Sequence, residues 1–376
     1  MTAHCVEGAI AGIADIVTGL APDTVMLFTG GASFASSGAA TPINAALASS
    51  TVIHISDVEP NPTIGAVQTA VDRYRAASPE LIIAVGGGSV IDLAKSVRLL
   101  APQPRDAKSI VLDGRGITLP PVPMVAIPTT AGTGSEATHF SVVYVDRKKH
   151  SLAHEWGRPS KSILDPELTY SVPPRITAET GLDALSQAIE SLWSVRSTDA
   201  SSIHASRALT LAANHLEPAV RAPTPEHRRA MCEASHLAGL AIDVTTTTAP
   251  HALSYTFTSR YGVPHGHAVA LTLGAVLEHN AAVTEQDCAD PRGPAFVRSR
   301  IEQISSALGA SSASDARSRW DDLARSVGLA TDLGSLGVKS DASRDAIADA
   351  VDTLRLSGNP RTLTPQSLRA LIRSLP

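Results

Sequence analysis

Asp183 and Gln187 stand four residues apart in Gly181-Leu182-Asp183-Ala184-Leu185-Ser186-Gln187-Ala188-Ile189-Glu190, so on a helix they share one face and can point at a common atom. Glu190, seven residues after Asp183, lies near that face too. His251 and His265 add two imidazoles fourteen residues apart, in a stretch that opens His251-Ala252-Leu253-Ser254-Tyr255 and closes Pro264-His265-Gly266-His267. One carboxylate and two imidazoles, with room for a substrate, make a set suited to a divalent transition metal. Singly, each has a plainer reading, as a solvated helix face or a hydrogen-bonded structural histidine. The metal reading needs the whole group.

A second chemistry is written in Ala84-Val85-Gly86-Gly87-Gly88-Ser89-Val90-Ile91-Asp92-Leu93-Ala94-Lys95, a buried strand ending in glycines that open a helix. Glycines let a backbone approach a ligand closely, and the open N–H groups of a helix start attract anions, so a pyrophosphate fits there. Ser89 with Asp92 has capping-box form, which gives Asp92 a structural role. Pro128-Thr129-Thr130-Ala131-Gly132-Thr133-Gly134-Ser135-Glu136 follows the next strand as a second loop of small residues and hydroxyls. Loops at the carboxyl ends of adjacent parallel strands converge on one crevice, and two such loops point to one dinucleotide. Two polar turns without a ligand are the alternative.

The elements that must carry these loops alternate through the first half. Segments 25–28, 52–55, 81–85 and 122–127 read as β-branched strands, and 42–48, 63–76 and 90–100 show helical spacing. A parallel, helix-flanked sheet follows. From about Ile176 the strand signal fades and long Ala/Leu segments take over, so the second half is expected to be helical. The pair Pro173-Pro174 marks the boundary, giving domains 1–174 and 175–376.

Composition agrees. The chain of 376 residues is too long for one ordinary core. Its 43% hydrophobic and 18% charged residues are those of a globular protein, and with aromatics at 3% the interior must be filled by Ala, Leu and Val. A net charge of -5 with no basic stripe excludes nucleic acid as a partner. Cys5, Cys232 and Cys288 have no CxxC spacing, which fits a reduced compartment and argues against a thiolate zinc site. Glu7 and Asp15 interrupt the N-terminal apolar stretch, and no run is long enough to cross a bilayer. A cytoplasmic protein is expected.

Taken together, these segments resemble the iron-containing (group III) alcohol dehydrogenase family along almost the whole chain. Segments 86–92 and 128–138, Asp165-Pro166-Glu167-Leu168-Thr169, segment 181–191 and segment 251–266 stand in the family's order and spacing. The resemblance implies an α/β N-terminal dinucleotide-binding domain and an all-α C-terminal metal-binding domain, the dehydroquinate synthase-like fold, with the active site in the cleft between them. It implies Asp183, Gln187, His251 and His265 as metal ligands, with Fe2+ as the ion and Zn2+, Ni2+ or Co2+ as others the site could take. Gln187 stands where the family usually has His, and Tyr255 replaces a further His often found there. An amide oxygen is a harder and weaker donor than an imidazole, so Gln187 bears on which metal is held. A homodimer is implied as well.

The implied reaction is hydride transfer from the nicotinamide to an aldehyde whose oxygen the metal polarises, with Tyr255 or His267 relaying the proton or serving as hydrogen-bond partners. Gly30, Gly31, Gly87, Gly88, Ser89, Thr129, Thr130, Thr133, Ser135 and Thr138 are the expected cofactor contacts. Gly30 stands where NAD-restricted relatives often place an acidic residue, and Ser33, Ser36 and Ser37 could bond a 2'-phosphate, so NADPH should be accepted beside NADH. Asp57, after the second strand, is not taken as an NAD determinant because the glycine loop follows the third. Segments 183–195 and 251–271 look most like phosphonoacetaldehyde reductases, which implies formation of 2-hydroxyethylphosphonate in phosphonate biosynthesis. A phosphonate needs cationic or amide donors, for which His139 and Arg260 are candidates, Arg260 being equally readable as a solvated loop charge. Competing readings are an iron-type dehydrogenase for another small aldehyde, a dehydroquinate-synthase-like lyase, and a binding protein whose metal site Gln187 leaves empty.

Overall fold

The computed structural model describes residues 5–56, 58–146 and 148–376, so Asp57 lies outside the described residues. The chain divides into two compact units, Met1–Val172 and Pro173–Pro376.

The first unit is built on strands β1 (Thr24–Thr29), β2 (Thr51–Ile55), β3 (Leu81–Gly86) and β4 (Met124–Pro128), with an antiparallel hairpin of β5 (Phe140–Val145) and β6 (Lys148–Ala153) and a short β7 (Lys161–Ser162). The main sheet runs β2-β1-β3-β4-β7 and is parallel throughout. Successive side chains of a strand face opposite ways, and here they feed two cores. Met26, Phe28, Ile82, Ala84, Met124 and Ala126 enter one with α4 (Ile64–Ala77), α5 (Gly88–Leu100) and α6 (Ala107–Asp113). Val25, Leu27, Ile83, Val85, Val125 and Ile127 enter the other, against α1 (Ile13–Leu20) and α3 (Ala40–Ala46), while α2 (Gly31–Ser36) follows β1 directly.

The chain moves outward from β1 to β2 and then returns to β3 on the other side of β1. Such a reversal of winding opens a crevice at the carboxyl ends of the strands. Gly30, Gly86 to Gly88 and the residues after Pro128 all stand at those ends. The hairpin was not expected, because Lys148-Lys149-His150-Ser151 carries no apolar alternation.

The second unit is helical. Pro173-Pro174 starts α7 (Pro174–Trp193), where a proline with its fixed φ suits the first helical position. It is followed by α8 (Asp199–Arg221), α9 (Pro225–Thr245), α10 (Ala249–Tyr261) and α11 (His265–Ala281). Then come α12 (Pro294–Ala307), α13 (Ala313–Ser326), α14 (Asp341–Asp349) and α15 (Pro365–Arg373). Almost every residue of α7 after its first turn is buried, as is most of α11, which makes them the central helices of this unit. Among the described residues no helix is long and apolar enough to cross a membrane.

Candidate metal centre and dinucleotide cradle

Three polar residues of the central helix α7, Asp183, Gln187 and Glu190, are buried on one side of it. His251 is the third residue of α10 and His265 the first of α11. Asp183, His251 and His265 present ligand atoms that all lie within 4.8 Å of one another. Gly266 permits this. A Cβ at that position would stand 1.9 Å from the Glu179 carbonyl oxygen and 3.0 Å from the Asp183 Cβ, so only glycine lets the first turn of α11 press against α7.

The two rings are fixed by hydrogen bonds. Glu190, fully buried, accepts from His251 Nδ1 through Oε2, and its Oε1 accepts from Thr248 N at 3.0 Å and Thr248 Oγ1 at 2.8 Å. Trp193 Nε1 donates to that same Thr248 hydroxyl at 2.9 Å. A carboxylate at the open N–H groups that begin α10 is favourably placed against the helix dipole. With Nδ1 so engaged, His251 Nε2 faces Asp183 Oδ1 at 3.2 Å. Burial alone would lower the pKa of His251, but Glu190 and Asp183 outweigh it and push it up to about 10. Two carboxylates therefore ask for a positive charge at this imidazole. Ser254 Oγ donates to the His251 carbonyl at 2.7 Å, so it can only accept from His265 Nδ1 at 3.4 Å, which leaves the His265 lone pair on Nε2.

Gln187, one turn after Asp183, is 3 % exposed, and its Oε1 meets no hydrogen-bond donor among the described residues. An acceptor left so costs about 1–3 kcal/mol. The Asp183 carboxylate and two lone-pair imidazole nitrogens, that of His265 only half-buried, with an orphaned amide oxygen one helical turn from Asp183, fit a divalent cation in their donor chemistry.

The other candidates around this group part ways. The Tyr255 ring lies parallel to that of His265, 13° between planes and 6.3 Å between centroids, and its Oη accepts from Arg355 Nη1 at 3.2 Å. His267 is buried and donates instead from Nε2 to the Ala330 carbonyl at 2.7 Å, a structural bond. Arg260 is exposed in the last turn of α10.

In the first unit the two loops hold each other. Thr129 N donates to the Gly86 carbonyl at 3.0 Å, and a Cβ on Gly88 would strike Thr133 Oγ1 at 2.7 Å. The close approach that glycine permits at 88 is thus made by the neighbouring loop. Gly87, not Ser89, is the N-cap of α5, and Asp92 does not close a capping box. It reaches across, with Oδ1 accepting from Ser135 Oγ and Oδ2 from Val142 N at 3.1 Å. Lys95, one turn on and fully buried, donates to the Ser135 carbonyl at 3.0 Å, to Thr138 Oγ1 at 2.9 Å and to the Phe140 carbonyl. The hydroxyls of Ser135 and Thr138 are therefore engaged inside the protein, while Ser89, Thr130 and Thr133 remain partly exposed beside Gly87. Gly30 follows β1 as the N-cap of α2, with its N–H on the Val85 carbonyl at 3.3 Å, and Gly31 opens α2. Ser33 and Ser36 are exposed there and Ser37 is buried, donating to the Phe34 carbonyl at 3.3 Å. His139, half-buried before β5, has its imidazole held below its ordinary pKa by burial and by Arg158 and Lys95.

Residues 2–166 match the family model described as iron-containing alcohol dehydrogenase, and residues 177–375 match that of the C-terminal domain of the Fe-containing alcohol dehydrogenase family. The chain belongs to the iron-containing alcohol dehydrogenase family. It is 40% identical over 309 residues to the phosphonoacetaldehyde reductase of Streptomyces viridochromogenes, covering 80% of this chain and 77% of that protein. To long-chain-alcohol dehydrogenase 1 of Geobacillus thermodenitrificans it is 33% identical over 332 residues, 85% and 81% of the two chains. The crystal structure of sulfoacetaldehyde reductase from Bifidobacterium kashiwanohense in complex with NAD+ superposes with a TM-score of 0.89 at 30% identity, covering 100% of this chain and 96% of that one.

As an iron-containing alcohol dehydrogenase the protein is an NAD-dependent oxidoreductase, and a divalent metal comes with the family. The sequence reading missed the clasp of Asp92 and Lys95 and the bond of Arg355 to Tyr255. A lysine set among Val90, Ile91, Leu93, Ala94 and Val97 could have signalled the first, since a cation inside an apolar pattern must find buried acceptors. Arg355 lies 100 residues from Tyr255 and carried no such signal.

Proposed function

We propose that the protein reduces phosphonoacetaldehyde to 2-hydroxyethylphosphonate with a nicotinamide cofactor, at a metal held by Asp183, Gln187, His251 and His265. The observation that carries the metal centre is the buried Oε1 of Gln187, without a hydrogen-bond partner among the described residues, one helical turn from Asp183 of the Asp183, His251 and His265 group. The substrate is supported by the 40% identity to the Streptomyces reductase and by the likeness to a reductase of sulfoacetaldehyde, another small aldehyde with an oxyanion tail.

A divalent ion, Fe2+ in this reading, would supply a Lewis acid for the aldehyde oxygen. The nicotinamide would supply a hydride from C4. Asp183 contributes the one directly ligating negative charge, and Glu190 keeps His251 in the tautomer whose Nε2 can ligate. Tyr255, whose ring lies parallel to that of His265, is the proton donor we favour over His267, whose Nε2 is spent on the Ala330 carbonyl. Gly30, Gly31, Gly87, Gly88, Ser89, Thr129, Thr130 and Thr133 form the dinucleotide cradle, with Ser135 and Thr138 positioning it from inside. Gly30 places no carboxylate at the end of β1, so NADPH is used as well as NADH. We take the enzyme to be a cytoplasmic homodimer.

The test is the oxidation of NADH and NADPH across phosphonoacetaldehyde, lactaldehyde, succinic semialdehyde and propanal, with Fe2+, Zn2+ or Ni2+ added. Phosphonoacetaldehyde should give the highest kcat/KM, and Asp183→Asn and His265→Ala should lose both metal and turnover. Full activity in metal-free protein would end the metal proposal, and a better neutral aldehyde would end the substrate proposal.

A further inference from the structure

Helix α9 ends at Thr245 and Thr248 is the N-cap of α10, so Thr246 and Thr247 alone turn the chain from one helix into the next. Thr246 does so at φ 58° and ψ 172°. Ala21 and Ser78 also have positive φ, but at ψ 52° and 57° they sit in the left-handed helical region common at helix ends. At ψ 172° the backbone is in a region essentially reserved for glycine, and a β-branched residue is badly suited to it.

What holds Thr246 there is α7. Before the turn, Thr245 Oγ1 meets Ser191 Oγ at 3.0 Å, and Ser194 Oγ donates to the Thr245 carbonyl at 3.1 Å. After it, Thr248 N and Oγ1 donate to Glu190 Oε1 at 3.0 Å and 2.8 Å, and Trp193 Nε1 donates to Thr248 Oγ1 at 2.9 Å. Thr245 and Thr248 are thus both pinned to the last residues of α7, and the two residues between them close the gap. Both pins are buried, so water does not compete for them. The cost of such a backbone conformation is of the size of one or two net hydrogen bonds, so it persists only while both pins hold. The Thr246 hydroxyl accepts one exposed bond, from Arg196 Nη1 at 3.3 Å, which does not offset it. Three residues beyond Thr248 comes His251, whose Nε2 faces Asp183 Oδ1 at 3.2 Å. The direction in which α10 leaves the turn is therefore the direction in which that imidazole is delivered.

We propose that Thr246 is a positioning residue for the metal centre: pinned between Thr245 and Thr248, it holds the turn from α9 to α10 in a strained form that aims His251 at Asp183. This rests on the metal centre proposed above.

The experiment measures affinity for Fe2+, by competition with a chelator in the absence of oxygen, and the Tm of the metal-free protein. Thr246→Gly keeps the turn without the strain, so Tm should rise by about 2–4 °C while the affinity stays within about twofold of wild type. Thr245→Val cuts one pin without touching His251 or Glu190 and lets the strain swing α10, so the affinity should fall at least about tenfold. Combined with Thr246→Gly, which leaves no strain to drive the swing, the same variant should return to within about threefold of wild type. Ser194→Ala cuts the same pin from the side of α7 and repeats the comparison should Thr245→Val not fold. A merely structural role for the turn would lower Tm in Thr245→Val without changing the affinity, or would leave the double variant as weak as the single one, and either result overturns the proposal. So would an unchanged Tm in Thr246→Gly, a measurement that needs no metal. A wild type that holds no Fe2+ would overturn the metal reading itself, and that result is seen before any variant is made.

Discussion

His251 is held by Glu190 through Nδ1 while its Nε2 faces Asp183 Oδ1 at 3.2 Å. The imidazole is thereby turned to one orientation by a carboxylate that stands behind it, and the same carboxylate caps the start of α10 through Thr248. Thus Thr248, which begins the helix, and His251, the candidate ligand, are tied to a single buried charge.

Glu190→Gln tests that tie. The amide keeps the shape and can still accept from Thr248, but it removes the negative charge that makes His251 a better donor. Metal affinity should fall roughly 10–100-fold, the usual cost of losing such a partner. Metal content after dialysis against a chelator, with circular dichroism to confirm folding, reads the outcome; undiminished metal retention would deny Glu190 this role.

Gln187→Met separates stability from binding. Methionine fills a similar volume without an orphaned oxygen, so the metal-free protein should gain up to about 1–3 kcal/mol. The rise in Tm on adding Fe2+ should shrink or vanish, because that rise reports binding to the folded state. Thermal melts with and without metal check both halves, and an unchanged metal-induced shift would remove Gln187 from the ligand set.

Gly266→Ala should lose the metal centre without touching a ligand. The new methyl would meet the Glu179 carbonyl at 1.9 Å, and α11 must move to relieve it, taking His265 along. Overpacking of this kind costs about 1–3 kcal/mol. Gly19→Ala, where a Cβ meets nothing within 4 Å, is the control and should melt like the wild type. Equal metal content in the two variants would show that close packing at 266 is not what places His265.

The sheet was legible because β1, β3 and β4 are apolar on both faces and are bounded by Gly or Pro. The fourth strand starts at Met124 rather than 122, since Pro123 has no N–H to give the ladder. The polar hairpin strand β6 was not legible, because its partner β5 and not its own pattern makes it a strand. At the metal centre, spacing along α7 placed Asp183 and Gln187 on one face, but the distance between helices is set by Gly266, whose role appears only when α11 meets α7. Ser135 and Thr138 read as ligand contacts because hydroxyls near a glycine loop look alike from the sequence, whether they face a cofactor or a buried lysine. In the fold the Thr138 hydroxyl accepts from Lys95 and the Ser135 hydroxyl donates to Asp92, contacts that the sequence did not announce.

Lys95 also predicts a pH dependence of the first unit. Burial lowers its pKa from 10.5 to about 8, against the opposing pull of Asp92 and Glu136. The folded protein therefore binds this proton less tightly than the unfolded chain does. Below pH 8 the lysine is charged in both states and the fold bears the full cost of burying it. As pH rises from 8 toward 10.5 the folded state releases the proton first and the cost fades, so this group makes the protein more stable with rising pH. The gain cannot exceed roughly 3 kcal/mol. Urea unfolding at pH 7 and 9.5, followed by hydrogen exchange at the α5 amides, should show the wild type gaining on Lys95→Met across that interval. Parallel pH curves for the two proteins would mean that the lysine keeps its ordinary affinity for the proton despite its burial.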